Sequence, residues 1–293
     1  MSDKPLKWLL FISLAIIWGS SFILMKEGLR FLTAFQVASV RIVASGLVLL
    51  PLAIYSFKRV PKNKILLIFL SGSLGSLLPA YLFCIAEQGI DSSFAGTLNS
   101  LTPIFVIITG VLFFNIKTST QKIIGILVAF SGSVLLFITH PNLNVGNNLS
   151  YVLFIILATF FYGFNVNLVQ RYLKEIPTLQ IVSMALCLNA IPALIALYFS
   201  GFFLLDLGNK GVLISMGYSC LLGALGTSIA NILFYILIKK AGAVFSSTVT
   251  YGIPFVAILW GIIYHENIGW IQVSSLSVIL IGVYITNRKI AIK

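Results

Sequence analysis

Charge is scarce in this sequence of 293 residues. Only 9% of the residues are charged, whereas 59% are hydrophobic and the mean hydropathy is +1.07. A water-soluble domain carries about 25% charged residues, so a globule of this size would have too few charges for its surface. This scarcity excludes soluble enzymes and soluble nucleic-acid-binding proteins, and it predicts an integral membrane protein.

Cysteine and histidine are also few. The three cysteines, Cys84, Cys187 and Cys220, lie inside apolar segments and form no CxxC pair. An odd number of cysteines without such spacing argues against a disulfide framework and a zinc site. The two histidines, His140 and His265, lie near segment ends. We therefore expect neither a metal site nor a cofactor.

Long apolar runs recur along the whole chain. A helix needs about 20 apolar residues to cross the hydrocarbon core of a bilayer. The runs do not alternate apolar and polar residues, as the strands of an outer-membrane barrel do. They predict an all-α integral membrane protein with ten transmembrane helices, at 8–25, 34–57, 64–86, 92–114, 120–139, 150–170, 179–200, 211–238, 243–264 and 269–287.

Basic residues are distributed unequally between the connections. With the N-terminus in the cytoplasm, the inner segments hold fifteen Lys and Arg, the outer segments hold three, and Arg41 lies within a span. Cytoplasmic segments carry an excess of Lys and Arg, so both termini are predicted to be cytoplasmic. The formal net charge of +12 is then a topology signal and a contact for anionic lipids, without nucleic acid as a partner.

The two parts of the chain resemble each other. An offset of 151 residues aligns 70–121 with 221–272 without gaps, and 13 of these 52 positions are identical, including Pro103 with Pro254. Chance similarity between apolar segments does not favour matching Gly, Pro and Gln in one register. The sequence therefore predicts an internal structural repeat.

The repeat has a consequence for topology. An offset of 144 relates the earlier helices, with Gly19 aligned to Gly163, so that each half contains five spans. Because five is odd, the two halves enter the membrane from opposite sides. We predict two inverted five-helix repeats, at 1–140 and 150–293, an architecture typical of secondary transporters and compatible with a functional monomer.

Several short motifs make the chain similar to one family. They are Trp18-Gly19-Ser20-Ser21-Phe22, Arg41, Leu101-Thr102-Pro103-Ile104-Phe105, Tyr235-Ile236-Leu237-Ile238-Lys239, Gly252-Ile253-Pro254-Phe255 and Glu266. With ten spans in two repeats, they resemble the EamA-type family of the drug/metabolite transporter superfamily over essentially the whole chain. The resemblance implies a bacterial inner-membrane carrier, often an exporter of amino acids or other small metabolites. One departure is Asn115, which stands where the family usually has Glu.

Span eight carries a stripe of small and polar residues. Gly223, Thr227, Asn231 and Tyr235 follow one another at intervals of four, so they share one face of a helix. Close packing of neighbouring helices is one explanation of the stripe. Asn231 and Tyr235 also need partners or water within hydrocarbon, so lining of a substrate cavity is the other explanation.

Further polar and aromatic residues lie near the middle of spans. In span four, Asn99 and Thr102 precede Pro103. In the corresponding span nine, Thr250 and Tyr251 precede Pro254. Spans one and six have Trp18 with Ser21 and Tyr162 with Asn165 at matching places. A proline frees a backbone carbonyl one turn earlier, so polar backbone can line a path there. A kink satisfied by neighbouring helices and ordinary aromatic packing are the alternatives. These eight residues are candidates for a cavity wall.

Arg41 is the costliest residue to place, because a charge inside a span costs several kcal/mol unless it is paired or hydrated. It lies about 12 Å from the outer end of its span at 1.5 Å per residue. Ala38 and Ser45 share its face, which indicates that it points into the bundle. Arg41 is expected either to bind a substrate carboxylate or to anchor the fold through loop carbonyls, Glu87 or Asp91.

Acidic residues are informative by their positions. No span has a carboxylate at its centre, whereas Glu87 and Asp91 cluster at an outer boundary. Small multidrug carriers exchange protons for cationic drugs through an acid in span one, so its absence here argues against a cation/proton antiporter. Glu87 is the best candidate for a proton site, with a solvated helix end as the alternative.

These features predict a secondary transporter that works by alternating access on a small metabolite such as an amino acid. Its expected partners are that small molecule and membrane lipids. A passive channel is the first alternative, because channels also carry inverted repeats. An intramembrane lipid-modifying enzyme is disfavoured, since the sequence has no HExxH motif, Asp-rich cluster or serine–lysine pair in register. We therefore do not expect an enzyme.

Overall fold

The computed structural model describes residues 4–90, 92–138, 149–263 and 270–287. Every regular element in these ranges is helical. We number ten helical segments in chain order, some of which contain short 3-10 or π turns. They are α1 (Lys4–Gly28), α2 (Ala34–Phe57), α3 (Lys62–Ala86), α4 (92–114), α5 (Thr120–Ile138), α6 (Leu149–Tyr172), α7 (Thr178–Phe199), α8 (Lys210–Ala241), α9 (243–263) and α10 (Trp270–Asn287).

The helices match the predicted spans to within four residues at each end. Within the described ranges, α1, α2, α3, α6, α7 and α8 are long and apolar enough to cross a membrane, and shorter apolar helices occupy the other four places. Large apolar side chains such as Ile54 and Leu112 are about two-thirds exposed, as lipid-facing residues are in a bundle without its bilayer. The prediction of an all-α, multi-pass membrane protein is confirmed.

Local sequence explains the main breaks in the helices. At the start of α2, Thr33 and Gln36 form a capping box, in which each side chain accepts a hydrogen bond from the other residue's backbone N–H. In α4 and α9, a 3-10 turn (Asn99–Leu101 and Thr248–Gly252) precedes a new α-helical segment whose second residue is proline. Proline is tolerated there because the first helical turn has no donor to lose.

The same breaks occur at corresponding places in the two parts of the chain. Helices α4 and α9 begin 151 residues apart, at Ser92 and Ala243, and their second segments begin at Thr102 and Ile253. A π turn interrupts α3 at Ser73–Leu77, and another interrupts α8 at Leu222–Ile229. Adding 151 to the first π turn gives a range inside the second. The changes of helix type therefore occur at positions that the 151-residue alignment pairs between the two parts of the chain.

Two apolar clusters occupy opposite ends of the bundle. One cluster is formed by residues at the starts of α1 and α3 and at the ends of α6 and α8. Its largest buried members include Leu14, Ile68, Leu173 and Leu237. The other surrounds the ends of α1 and α3 with the starts of α6 and α8, and it includes Met25, Phe83, Ile155 and Val212. Helices α2 and α7 pack against each other along their length, as do α5 and α10.

Candidate functional site

A cavity with about 80 Å³ of space for the centres of water-sized molecules lies in the bundle and is lined by residues of both apolar clusters. Helices α1, α2, α3, α4, α6, α8 and α9 all contribute to its wall. The polar lining residues are Ser21, Arg41, Ser76, Asn99, Thr102, Asn165, Asn231, Ser247 and Thr250. Such a mixture of polar groups and apolar wall is typical of a small-molecule site.

Aromatic rings form much of the apolar wall. Trp18 and Phe234 pack edge to face with their ring centroids 5.0 Å apart. Phe83 lies 6.1 Å from Phe22 on one side and 6.1 Å from Tyr162 on the other. These distances lie within the range of about 4.5–7 Å that aromatic pairs prefer, so the rings pack together into an apolar part of the wall.

Arg41 is the one charged residue in the wall among the described residues. Its Nε donates a hydrogen bond to Thr227 Oγ1 over 2.7 Å. No described carboxylate lies within 4.0 Å of its guanidinium, and neither Nη nitrogen has a hydrogen bond to a described residue. The terminal nitrogens are thus free to bind a carboxylate in a bidentate pair.

A close approach of α2 and α8 sets the position of Arg41. Gly223 lies directly against the backbone carbonyl of Arg41, and a Cβ at Gly223 would collide with that carbonyl. Thr227 follows Gly223 by one helical turn on the same face, which brings its hydroxyl to the arginine Nε. The small residue therefore allows the contact, and the threonine orients the guanidinium.

A triangle of hydrogen bonds fixes the side-chain amide of Asn165 in the cavity wall. Ser71 Oγ donates to Asn165 Oδ1 over 2.8 Å, and Asn165 Nδ2 donates to the Tyr235 hydroxyl over 3.1 Å. The hydroxyls of Ser71 and Tyr235 are 2.8 Å apart and complete the triangle. Tyr235 is buried behind the wall, so it acts on the cavity through Asn165.

The remaining cavity amides are also fixed by neighbours. Asn231 Nδ2 donates to Ser76 Oγ over 3.2 Å and to the carbonyl of Thr227 over 2.7 Å. Asn99 Oδ1 accepts a hydrogen bond from Thr102 Oγ1 over 3.2 Å. Ser76 belongs to the π turn of α3 and Asn99 to the 3-10 turn of α4. π turns occur often at functional sites, and the irregular backbone here borders the cavity.

Most residues that the sequence nominated for the wall are brought together. Those in the lining are Trp18, Ser21, Arg41, Asn99, Thr102, Tyr162, Asn165, Asn231 and Thr250. Thr227 and Tyr235 contact the lining from behind. Tyr251 lies elsewhere, because its hydroxyl donates to the carbonyl of Ile126 in α5 over 3.0 Å and its side chain is almost fully buried. Whether these residues bind a substrate stays a prediction.

Several wall residues, three of them aromatic, are not among the candidates from the sequence. Phe22, Phe83 and Phe234 line the cavity together with Met25, Ser76 and Ser247. A usable signal for two of them was present, since Phe83 and Phe234 are identical residues in the 151-residue register. Phenylalanine is so common in apolar spans that this identity did not distinguish wall from core.

Metal-binding chemistry has little support in the residues that the structure describes. No group of three or more His, Cys, Asp or Glu residues lies close enough together there to hold an ion. The three cysteines are free thiols. Asp91, His140, His265 and Glu266, which the sequence analysis considered, lie outside the described residues.

Known proteins resemble the chain along nearly its whole length. An uncharacterized transporter of Archaeoglobus fulgidus is 27% identical over 285 residues, which cover 97% of this chain and 99% of the relative. The uncharacterized inner membrane transporter YedA of Escherichia coli is 27% identical over 284 residues, covering 92% and 87%. A protein of known crystal structure shares the fold, with a TM-score of 0.72, 13% identity and 95% coverage of both chains.

A family model gives the assignment. The model of the EamA-like transporter family matches residues 6–138 and again residues 149–288, which together are nearly the whole chain. Each match begins in the first helix of a five-helix set and extends through the described part of the fifth. The multi-pass fold, the central cavity and the transporter relatives agree with this match. The chain therefore belongs to the EamA-like transporter family.

Proposed function

We propose that the protein is a secondary carrier that moves small carboxylate-bearing metabolites, such as amino acids, across the bacterial inner membrane by alternating access. The observation that carries the substrate class is Arg41, whose guanidinium faces a central cavity without an acid partner among the described residues. An always-charged group in a bundle interior needs water, dipoles or an anion, and a substrate carboxylate supplies the last. The aromatic wall accommodates the apolar part of the substrate.

Alternating access needs two halves that can repack, and we propose inverted repeats at 1–140 and 150–293. Close glycine contacts support this symmetry. Gly72 of α3 lies against the carbonyl of Ala185, and Gly223 of α8 lies against the carbonyl of Arg41. The two contacts correspond in the repeat alignment: an offset of 151 pairs Gly72 with Gly223, and an offset of 144 pairs Arg41 with Ala185.

Two further pairs of contacts follow the same relation. Gly19 of α1 lies against Val256, and Gly163 of α6 lies against Phe105. The offset of 144 pairs the two glycines, and the offset of 151 pairs Phe105 with Val256. Between α5 and α10, Gly132 lies against Ile279, and Gly282 lies against Ala129. An offset of 150 pairs Gly132 with Gly282 and Ala129 with Ile279. Because a glycine contact fixes the distance between two backbones, these pairs support a two-fold relation better than matching apolar residues do.

Symmetric halves offer two packings of similar energy that open to opposite sides of the membrane. The internal repeat supplies both halves in one chain, so we propose that a monomer is functional. We also propose that the protein works as an exporter, a direction that rests on the resemblance to the family. Efflux from preloaded cells, compared between cells with and without the protein, tests this direction.

Both termini are proposed to be cytoplasmic, from the fifteen-to-three distribution of basic residues. A background without Cys84, Cys187 and Cys220 allows single cysteines to be introduced near Lys62 and Lys240. Both positions are expected to react with an impermeant thiol reagent only after the membrane is opened. Labelling of either position from outside intact cells would contradict the orientation.

Counterflow in proteoliposomes tests the substrate class. Purified protein is reconstituted and assayed with radiolabelled amino acids and related carboxylates, beside their amides. The wild type is expected to exchange carboxylates in a saturable manner, and Arg41→Lys is expected to be weaker because lysine keeps the charge but loses the bidentate fork. Arg30→Ala is the matched control, since Arg30 is exposed and pairs with Glu27 at 3.0 Å.

The outcomes separate the competing explanations. Normal counterflow in a well-folded Arg41→Ala variant would overturn the binding role of Arg41. Failure of both Arg41 variants to accumulate in the membrane would favour a structural anchor. Flux that does not saturate would favour the passive channel over the carrier.

A further inference from the structure

Glu87 is a partly buried acidic residue outside the cavity wall described above. It follows the last residue of α3 and caps that helix, with its backbone N–H bonded to the carbonyl of Phe83. Part of the residue is exposed, but Oε1 is buried and has no hydrogen-bond partner among the described residues. Oε2 accepts a hydrogen bond from Ser92 Oγ over 3.1 Å. A buried carboxylate oxygen without a donor is costly when ionised, so this position favours a bound proton.

Glu87 is connected to the cavity through both elements that hold it. Phe83, one turn back in α3, lines the cavity. Ser92 begins α4, and the same helix reaches the cavity at Asn99 two turns later, with the small buried residues Ala95 and Gly96 between. Glu87 is therefore one helical turn from a wall residue of the cavity, near the end of the bundle where α1 ends.

The charged and titratable groups around Glu87 are few in the described residues. Lys26 of α1 and Arg41 of α2 supply the positive charges. The Cys84 thiol on its own helix and the Tyr162 phenol of α6 are the neutral groups within electrostatic reach of the same arginine. The Tyr151 ring packs against Gly89, two residues further on. Asp91 lies outside the described residues.

Burial raises the pKa of the Glu87 carboxyl to about 8, and the Ser92 hydrogen bond, Lys26 and Arg41 act in the opposite direction. The ordinary pKa of a glutamate is about 4.3. The carboxyl therefore exchanges its proton within the physiological range of pH.

We propose that Glu87 is a proton-binding site of this carrier, and that its carboxylate and the substrate carboxylate share the positive field of Arg41, so that proton and substrate bind together. When Glu87 is ionised, it balances part of the charge of Arg41 and weakens attraction for a second anion. When Glu87 is protonated, the guanidinium is unbalanced and attracts the substrate more strongly. By reciprocity, a bound substrate carboxylate favours protonation of Glu87. The second half of this inference rests on the proposed function, whereas the proton site does not.

Infrared spectroscopy tests the proton site without any ligand. The carbonyl-stretch band of a protonated carboxyl is followed against pH in the purified full-length protein, and Glu87→Gln is expected to remove one component that titrates near pH 8. Arg41→Gln and Ser92→Ala are both expected to move that component to higher pH, because each removes a group that favours ionisation. Glu27→Gln is the matched control, since Glu27 pairs with Arg30 and should leave the component unchanged.

Binding of 3-phenylpropionate tests the linkage. Its carboxylate stays ionised between about pH 6 and pH 9.5, because an ordinary carboxyl has a pKa near 4. Its affinity for the wild type is expected to fall by about five- to tenfold over this range, the size of a weak coupling. Glu87→Gln is expected to bind equally at both pH values, with an affinity like that of the wild type at low pH. The amide 3-phenylpropionamide is the uncharged control ligand.

The outcomes distinguish the two proposals. An unchanged infrared titration in Glu87→Gln would overturn the proton site. Titration of Glu87 with pH-independent binding of 3-phenylpropionate would overturn the linkage and leave the proposed function standing. Titration of Glu87 that shifts in Arg41→Gln, without binding of the carboxylate at any pH, would support the proton site and overturn the proposed substrate class.

Discussion

The two parts of the chain share their backbone breaks but not their chemistry. Helices α3 and α8 both carry a π turn, and α4 and α9 both change from a 3-10 turn to an α-helix before a proline. Yet the glycine contact that involves Arg41 in one part involves Ala185 in the other. The comparison indicates that both parts keep the backbone geometry that close packing needs, whereas the charge is present in one part only.

The largest expected effect on binding comes from removing the positive charge of Arg41, which has no counterpart in the second part of the chain. Arg41→Ala is expected to weaken carboxylate binding about 100-fold, since charge-assisted hydrogen bonds contribute about 1.5–3 kcal/mol each. Ala185→Ser, at the corresponding contact, is expected to change binding less than about twofold because no charge is lost. Scintillation proximity binding with the purified proteins measures both. Equal losses in the two variants would contradict the asymmetric site.

The shared glycine contacts give the next effect, and here the two parts should behave alike. A methyl group at Gly72 or Gly223 would meet the carbonyl of the facing helix. Gly72→Ala and Gly223→Ala are each expected to cost about 1–3 kcal/mol in stability, the usual cost of overpacking. Gly217→Ala is the control, because nothing lies within 4 Å of a Cβ there. Thermal unfolding in detergent measures all three, and a neutral result at one glycine only would break the comparison.

Glu87 should make stability depend on pH in one part of the chain. Its pKa of about 8 in the folded protein lies above the value of about 4.3 in an unfolded chain, so between these values only the folded state holds the proton. Its contribution to stability is therefore complete below about pH 4 and is lost as pH rises through about 8. Glu87→Gln is expected to flatten the fall in melting temperature over this range, whereas Glu27→Gln keeps it. A parallel fall in Glu87→Gln would assign the pH dependence to other groups.

The smallest expected difference concerns Trp18 and Tyr162, which occupy matching places in α1 and α6. Trp18 Nε1 donates to the carbonyl of Gly226 over 3.2 Å, whereas the Tyr162 phenol has no hydrogen bond to a described residue. Trp18→Phe is expected to cost about 1 kcal/mol in stability, the net value of one hydrogen bond. Tyr162→Phe is expected to be close to neutral. Thermal unfolding distinguishes the two, and a larger loss for Tyr162→Phe would reverse their roles.

Much of the fold followed from local pattern. The length of each apolar run is a local property, so α2 was predicted at 34–57 and is found at Ala34–Phe57. Arg41 was singled out because a charge within an apolar run is costly wherever the helix packs. The resemblance between the two parts is visible in the sequence because Gly and Pro are constrained by backbone geometry.

Other features needed the positions of distant residues. Tyr251 was nominated beside Thr250, but Thr248–Gly252 is a 3-10 turn in which residues three apart share a face. Ser247 and Thr250 therefore face the cavity, and Tyr251 turns to Ile126 of α5. Phe22 and Phe234 are wall residues for a similar reason, since an apolar side chain faces lipid, core or cavity according to its neighbours.

The sequence by itself determined the class of protein, the approximate helix boundaries and the resemblance between the two parts of the chain, because these follow from hydrophobicity along the chain and from residues such as Gly and Pro that restrict the backbone. Tertiary structure alone decided which nitrogen of Arg41 donates to Thr227, which amides face the cavity, and which carboxyl oxygen of Glu87 has no donor among the described residues. The physical reason is that hydrogen bonding and desolvation depend on distances between helices up to 186 residues apart in the chain, as for Arg41 and Thr227. No local pattern specifies such a distance.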